Sequence, residues 1–307
     1  MTELLTRTGV DGTVVPAPAA VEPDRPEEAA AASRTRSRSW RALTRGRGLV
    51  GLVLLGLVVL AGLLAPVLSP WDPLQQVPGA NLLRPGGDHL LGTDQVNRDV
   101  WSRTLHGIRA DLVVLAVGVP LGALAGSLLA LLGTLSGVVD VAVQRLFDLL
   151  LSFPTLVFAI ALTAVIGPGT WTVVTVIAVL ETPVFGRVLR SAVLTVTAQP
   201  YVEASVAMGA PRRWVLRRHV LPNARDPLAV QLALSLSLAV FVEGAMSFLG
   251  IGVRPPAPSL GSLISDGIGY AESNVAYVVA PLVVVVVVVL GLQLVAQALG
   301  RAARGVR

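Results

Sequence analysis

The chain is predicted to be an all-α, polytopic membrane protein with six transmembrane helices, on three observations. First, 53% of its 307 residues are hydrophobic and only 14% charged, with a mean hydropathy of +0.72, whereas soluble domains carry about 25% charged residues. Second, six apolar runs approach the roughly 20 residues that a helix needs to cross a bilayer. Third, arginine is concentrated in alternate loops, as an even number of spans with both ends on the same side requires.

In chain order, residues 1 to about 33 are rich in Ala, Pro, Glu and Thr, show no apolar period, and read as a disordered tail. Arg34, Arg36, Arg38, Arg41, Arg45 and Arg47 follow with no acid among them. The run Leu49 to Leu68 is too long for a signal-peptide core, lacks a clear small-residue cleavage site, and is expected to stay as the first span. The remaining spans are expected at about 110–133, 147–167, 171–192, 228–250 and 277–298. Pro120, Pro154 and Pro183 fall inside or near span ends and should kink them. The unbroken valine run 283–289 reads as lipid-facing or packing filler. The expected division is a cytoplasmic tail 1–47, a first span with an extracytoplasmic segment 48–107, a transmembrane domain 108–300 and a short basic tail 301–307.

Loop charge sets the orientation. Residues 187–226 hold seven arginines (Arg187, Arg190, Arg212, Arg213, Arg217, Arg218 and Arg225) against Glu203 and Asp226. Segments 69–107 and 253–275 each carry one more acid than arginine. Both termini and the basic segment are therefore expected inside, with 69–107 outside. A net charge of +5 and a pI near 10.8 would suggest nucleic acid as partner of a soluble protein, but here the basic residues flank membrane spans, so the expected surroundings are a lipid bilayer and no nucleic acid.

Several chemistries are excluded by residue type. There is no cysteine, hence no disulfide, thiolate ligand or thiol nucleophile. His89, His106 and His219 are the only histidines and are scattered, so no metal site is expected. No nucleophile–base pair stands at workable spacing, and no phosphate-binding glycine–lysine loop occurs, so neither catalysis nor ATP binding is expected of this chain.

The most structured stretch outside the apolar runs is YVEASVAMGAPRRWVLRRHVLP, residues 201–222. Val202 to Met208 has helical composition, with Glu203 near its start, where negative charge suits the helix dipole. Gly209 can end that helix in a left-handed conformation. Pro211 suits the first position of a second helix, which Pro222 is expected to close. On residues alone two readings stay open: a projecting docking knob, or an interfacial amphipathic loop whose arginines reach headgroups. His219 is expected to be a contact or surface residue.

The ordered set Glu203-Ala204, Gly209 and Leu221-Pro222 resembles the EAA loop of bacterial ABC importer permeases, with Ser205 where a second Ala is usual. LLGTDQVNRDVWSRTLHGIRADL (90–112), RLFDLLLSFP (145–154) and SFLGIGVRPPAPSLGSLISDG (247–267) narrow the resemblance to the dipeptide, oligopeptide and nickel permeases, over about 49–300. That resemblance implies the type I ABC importer permease fold and a C-type subunit in the bacterial inner membrane. It also implies that Glu203, Ala204, Gly209, Leu221 and Pro222 dock on an ATPase. The implied partners are a second homologous permease, two ATPase subunits that bind ATP and Mg²⁺ themselves, and an extracytoplasmic solute-binding protein. The rival is a stand-alone secondary transporter or channel, for which Glu181 and Glu243 would have to supply ion coupling. Both acids lie near the middle of apolar spans and are expected to face the bundle interior or the partner permease.

Three smaller features are expected to be structural. Gly92-Thr93-Asp94 reads as a turn in which Asp94 accepts local backbone hydrogen bonds. Arg145 and Asp148, at i, i+3, read as an ion pair. Pro255-Pro256-Ala257-Pro258 reads as a stiff extended linker.

Overall fold

The computed structural model describes residues 43–304; the expected disordered tail, with Arg34, Arg36, Arg38 and Arg41, and residues 305–307 of the basic tail lie outside the described residues. The regular elements are helices: α1 (Arg47–Leu63), α2 (Ala65–Leu68), α3 (Val100–Gly133), α4 (Gly137–Ser152), α5 (Thr155–Ile166), α6 (Thr170–Thr197), α7 (Pro200–Ala207), α8 (Arg212–Val215), α9 (Leu221–Phe248), α10 (Leu260–Ile268) and α11 (Ala276–Arg304). Among the described residues four helical stretches are long and apolar enough to cross a membrane, or five if the bent pair α4–α5 forms one span.

The six expected runs therefore do not map onto six straight helices. The first splits at Leu64, where Pro66 starts the short α2, leaving α1 with 17 residues. At 1.5 Å per residue that is about 26 Å, slightly under the bilayer's hydrocarbon thickness. The third expected span, 147–167, is broken outright: α4 and α5 meet at Phe153-Pro154 with a bend of 95°. Pro154 sits at the N-cap of α5, where its missing N–H costs no helical bond. By contrast Pro120 and Pro183 lie inside continuous helices. Helix α3 begins ten residues before the expected span because Asp99 caps it, accepting from Ser102 N at 2.8 Å.

The bundle is organised on α3 and α6, which run parallel. Gly118, Gly122 and Gly126 present one bare stripe of α3, four residues apart, and successively meet Ile177, then Ala178 and Glu181, then Thr182 and Gly186 of α6. Small residues at this spacing let helix backbones approach closely in a bilayer, where packing replaces the hydrophobic drive. Around this pair Val114, Val119, Val173, Ile177, Phe185 and Met246 form the main core. Helix α1 runs antiparallel to α11, with Gly51 against Gly291 and Leu294, and reaches Ile108 and Leu112 of α3 at Gly62. The valine run is mixed: Val288 is buried in the core while Val283 and Val286 are exposed.

These directions put the start of α1, the end of α11 and the α7–α8 hairpin at one end of the bundle, and residues 69–99 at the other. The latter segment forms a cap. Its turn at Asp94 is as expected, with Oδ1 accepting from Val96 N and Arg98 N at 2.9 Å. Arg98 Nε donates to Asp94 Oδ2 at 2.7 Å, and Arg103 Nε stands 3.4 Å from the same oxygen. Asn274 Nδ2 donates to Leu91 O, and Tyr277 OH to Gln95 Oε1, tying the cap to the start of α11. Burial raises the nearby Asp266 carboxyl above its ordinary range, with Arg103 and Arg98 pulling it back. A second clamp pairs His89 Nδ1 with Asp99 Oδ1 at 2.9 Å under the stacked ring of Trp71. The proline segment is a turn at Pro255-Pro256, which is cis, and not an extended linker. Pro256 O accepts from Arg103 Nη1 at 3.4 Å.

Candidate functional site

The hairpin at 200–222 has a hydrophobic core of its own. Val202, Val215 and Val220 are buried together with Val196 from the end of α6, and Val193, Ala210 and Leu216 pack around them. Helix α7 starts at Pro200 with Glu203 in its first turn. Gly209 then takes φ +90°, a left-handed backbone that side-chain-bearing residues rarely adopt. Around that turn Gly209 N donates to Val206 O at 2.9 Å and Ala210 N to Ser205 O at 3.0 Å, closing α7. Pro211 opens the second limb, its carbonyl accepting from Trp214 N at 2.8 Å.

The second limb does not end at Pro222. Helix α8 passes into a π-helical turn, Leu216–Val220, and then directly into α9, so that residues 213–248 form one helical run. Leu221 N donates to Leu216 O, one residue further back than in an α-helix. Pro222 thus occupies the first turn of α9, where a missing N–H is harmless. The knob is continuous with a long apolar helix and not merely tethered to it. Movement of one must be felt by the other.

His219 also departs from expectation. It is buried, with its ring 5.3 Å from that of Tyr201 and 5.0 Å from that of Trp214, so it is part of the hairpin's packing. Glu203, Ala204, Gly209, Leu221 and Pro222 all lie exposed. Beside them Val206, Met208 and Trp214 are exposed too, with Met208 82% accessible. Exposed Arg213, Arg217 and Arg218 complete a surface that is apolar and cationic at once. Such a combination suits a protein partner with an acidic-edged apolar cleft.

Below the hairpin, Arg190 makes a bidentate pair with Asp140, at 2.8 and 2.7 Å, tying α6 to α4. Arg145 Nη1 lies 3.6 Å from Asp148 as its spacing suggested, yet Asp148 pairs more closely with Arg187, at 2.6 Å.

Both intramembrane acids face inward, at 4% and 2% exposure for Glu181 and Glu243. Glu181 accepts from Ser235 Oγ of α9, whose oxygen in turn accepts from Gln231 Nε2 at 3.0 Å. Glu243 Oε1 accepts from Ser247 Oγ at 2.7 Å. Just beyond it α10 packs on α9 through Gly261, where a Cβ would stand 2.4 Å from the Gly244 carbonyl oxygen. A further acid buried in the bundle, Asp111, lies with Glu243 on one crevice between α1, α3, α9 and α11. Sequence reading missed it because it placed Asp111 at the margin of a span; the sign available was an acid directly preceding the apolar run 112–133.

Comparison with known proteins decides the family. Residues 118–305 match the model of the binding-protein-dependent transport system inner membrane component, and residues 37–85 match the N-terminal TM domain of oligopeptide transport permease C. The dipeptide transport system permease DppC of Alkalihalophilus pseudofirmus is 30% identical over 276 residues, 89% of this chain and 91% of that one. The di/tripeptide transport system permease DppC of Pseudomonas aeruginosa is 37% identical over 241 residues, 76% of this chain and 80% of its own. The chain belongs to the family of binding-protein-dependent ABC importer permeases, in its dipeptide/oligopeptide branch.

Solved permeases share the fold. An inward-facing MetNI methionine ABC transporter aligns with TM-score 0.52 at 21% identity, over 67% of this permease and 96% of that chain. An amino acid ABC transporter crystallised with histidines aligns with TM-score 0.52 at 16% identity, over 66% and 93%. The family model and the curated relatives make the permease a transport subunit, and they support that reading over a stand-alone secondary transporter or channel.

Glu181 offers a test of what the intramembrane acids do in this permease. A comparable acid, Asp, costs roughly 2.5–3.5 kcal/mol at a lipid-facing helix centre on insertion scales, which burial against Ser235 avoids. Glu181→Gln keeps a hydrogen-bonding side chain there and is expected to support near-normal uptake. Glu181→Leu leaves the Ser235 hydroxyl without its acceptor and is expected to lower assembled complex or uptake several-fold. If Gln abolishes uptake in a complex that still assembles, the charge itself is required and the structural role is refuted.

Proposed function

We propose that this permease forms half of the translocation pathway of a bacterial inner-membrane importer for short peptides, paired with a second homologous permease. The relatives named as dipeptide and di/tripeptide permeases support the solute class. Six spans are proposed, with α1–α2 as the first and the bent α4–α5 pair as the third. Both termini and the α7–α8 hairpin lie in the cytoplasm, and the cap at 69–99 faces the binding protein outside. Two ATPase subunits bind ATP and Mg²⁺; this chain transmits their motion.

The observation that carries the reading is the hairpin itself: a knob with its own small core, an exposed apolar and arginine-bearing surface, and a π-helical turn joining it to α9. Glu203, Ala204, Gly209, Leu221 and Pro222 are proposed to line the contact with the ATPase. Closing of the ATPases then displaces the knob, and α9 carries that displacement to Glu243 and the α10 end of the bundle.

Topology is checked by cysteine labelling, which is clean because the chain has no cysteine of its own. An impermeant reagent added to intact cells, or to spheroplasts where an outer barrier exists, is expected to label Asp88→Cys and spare Trp214→Cys. The reverse pattern would overturn the orientation. Solute class is checked in proteoliposomes holding the complete complex and its binding protein. ATP-dependent uptake of a labelled dipeptide is expected, and uptake of nickel but of no peptide would refute the assignment.

A further inference from the structure

Asp111 and Glu243 leave a hydrogen-bonding requirement open. Asp111 Oδ2 accepts from Leu260 N, the first residue of α10, at 3.2 Å, while Glu243 Oε1 is occupied by Ser247. Asp111 Oδ1 is buried and has no donor. The Asp111 and Glu243 side chains are neighbours lining one crevice. An ionised carboxylate only accepts, so two of them cannot satisfy each other. No arginine among the described residues pairs with either acid. Two like charges in contact, desolvated and without a counter-ion, are strongly unfavourable.

The surroundings narrow what can fill the gap. The crevice holds about 20 Å³ of space, and apart from the two acids its walls are Val58, Ile108, Leu112, Leu115, Val240, Leu260, Val285 and Val288. A bound metal cation needs several further oxygen ligands, as calcium does with six to eight, and these side chains supply none. A proton needs only the two carboxyl groups. It turns one acid into a donor, gives the orphaned oxygen its bond and removes one charge.

We propose that Asp111 and Glu243 bind a single shared proton, as a carboxylic acid–carboxylate pair that clips α3 to α9 and to the N-terminus of α10. The clip lies between the extracytoplasmic cap and the core, where α9 ends its run from the hairpin. Its basis is local geometry and does not depend on the solute or docking assignments.

Infrared difference spectroscopy on the assembled complex in lipid tests it, with the double variant Asp111→Asn/Glu243→Gln as reference. Wild type is expected to show one protonated-carboxyl band that shifts in D₂O. Asp111→Asn and Glu243→Gln alone should each lose that band, because the amide then donates to a remaining ionised partner. Each single variant also gives its own difference spectrum against wild type, so failure of the double variant to assemble leaves the measurement intact. Absence of the band in wild type overturns the proposal, as does its persistence in either single variant. Thermal unfolding supplies the second readout. The single amide variants are expected to unfold within a few degrees of wild type, and Asp111→Leu and Glu243→Leu at clearly lower temperature; equal loss in amide and leucine variants also overturns it.

Discussion

Combining Gly209→Val with Glu203→Lys is expected to abolish solute-stimulated ATP hydrolysis while leaving insertion and assembly of the permease intact. Gly209 holds φ +90° at the tip of the hairpin, with open space where a Cβ would be. The difficulty is therefore conformational and not steric crowding by neighbours. Forcing a β-branched residue into that region costs about 1–3 kcal/mol. The hairpin's own core is four valines and their neighbours, too small to hold the turn against such strain. A cost of that size lowers the fraction of correctly shaped knob by roughly five- to 150-fold. Glu203 stands in the first turn of α7 and is exposed, so lysine there opposes the helix dipole and reverses the charge offered to the partner. The spans are untouched by either change. The measurement is ATPase activity of the purified complex with and without loaded binding protein, beside a surface-expression control. Stimulation retained with both changes would remove the docking role from this hairpin.

Gly126→Leu is expected to prevent a folded complex from accumulating. At this position α3 and α6 touch backbone to backbone: a Cβ would overlap the Thr182 carbonyl oxygen and reach 2.8 Å from Gly186 N. Neither neighbour is a flexible side-chain end that could swing aside. Beside this contact the Phe147 ring of α4 fills the place where a Cβ of Gly186 would stand, so no space is left there for added carbons. Overpacking by a few methylenes costs typically 1–3 kcal/mol even where side chains can adjust, and here only helix displacement is available. Helix association within a bilayer relies on close packing, so the loss is not recovered by burying the added carbons. Gly137→Ala, with nothing within 4 Å, is the matched control and is expected to be neutral. The readout is monodisperse complex by size-exclusion chromatography and its thermal stability. Wild-type yield from Gly126→Leu would show that the two helices do not cross this closely.

Some of this molecule was legible in residue order because the physics involved is local. Apolar runs of about 20 residues mark helices for a bilayer whatever their neighbours are. The Gly209 turn follows from the absence of a Cβ, and the Asp94 turn from the reach of a short carboxylate to nearby N–H groups. That Glu181 and Glu243 face inward follows from the cost of exposing an acid to lipid. The GxxxGxxxG stripe at Gly118, Gly122 and Gly126 was also readable, and was passed over among 30 glycines.

What depended on partners distant in sequence was not legible. Pro154 announced a kink, but neither the 95° bend between α4 and α5 nor the ion pairs that tie α4 to Arg187 and Arg190 of α6, some 40 to 50 residues away, could be read from it. Pro222 announced a stop, yet a π-helical turn ahead of it lets the chain run on into α9. His219 is buried because Tyr201 and Trp214 converge on it. Asp111 is an unremarkable acid at a span margin until folding sets it against Glu243 and Leu260, separated from it by well over a hundred residues. Residue order alone thus determined the all-helical membrane class of the protein and the turn of its hairpin, since each rests on intrinsic preference or solvent. Only the tertiary structure decided which carboxyl groups meet, which helix breaks and which runs on, because those outcomes are set by contacts that no local stretch contains.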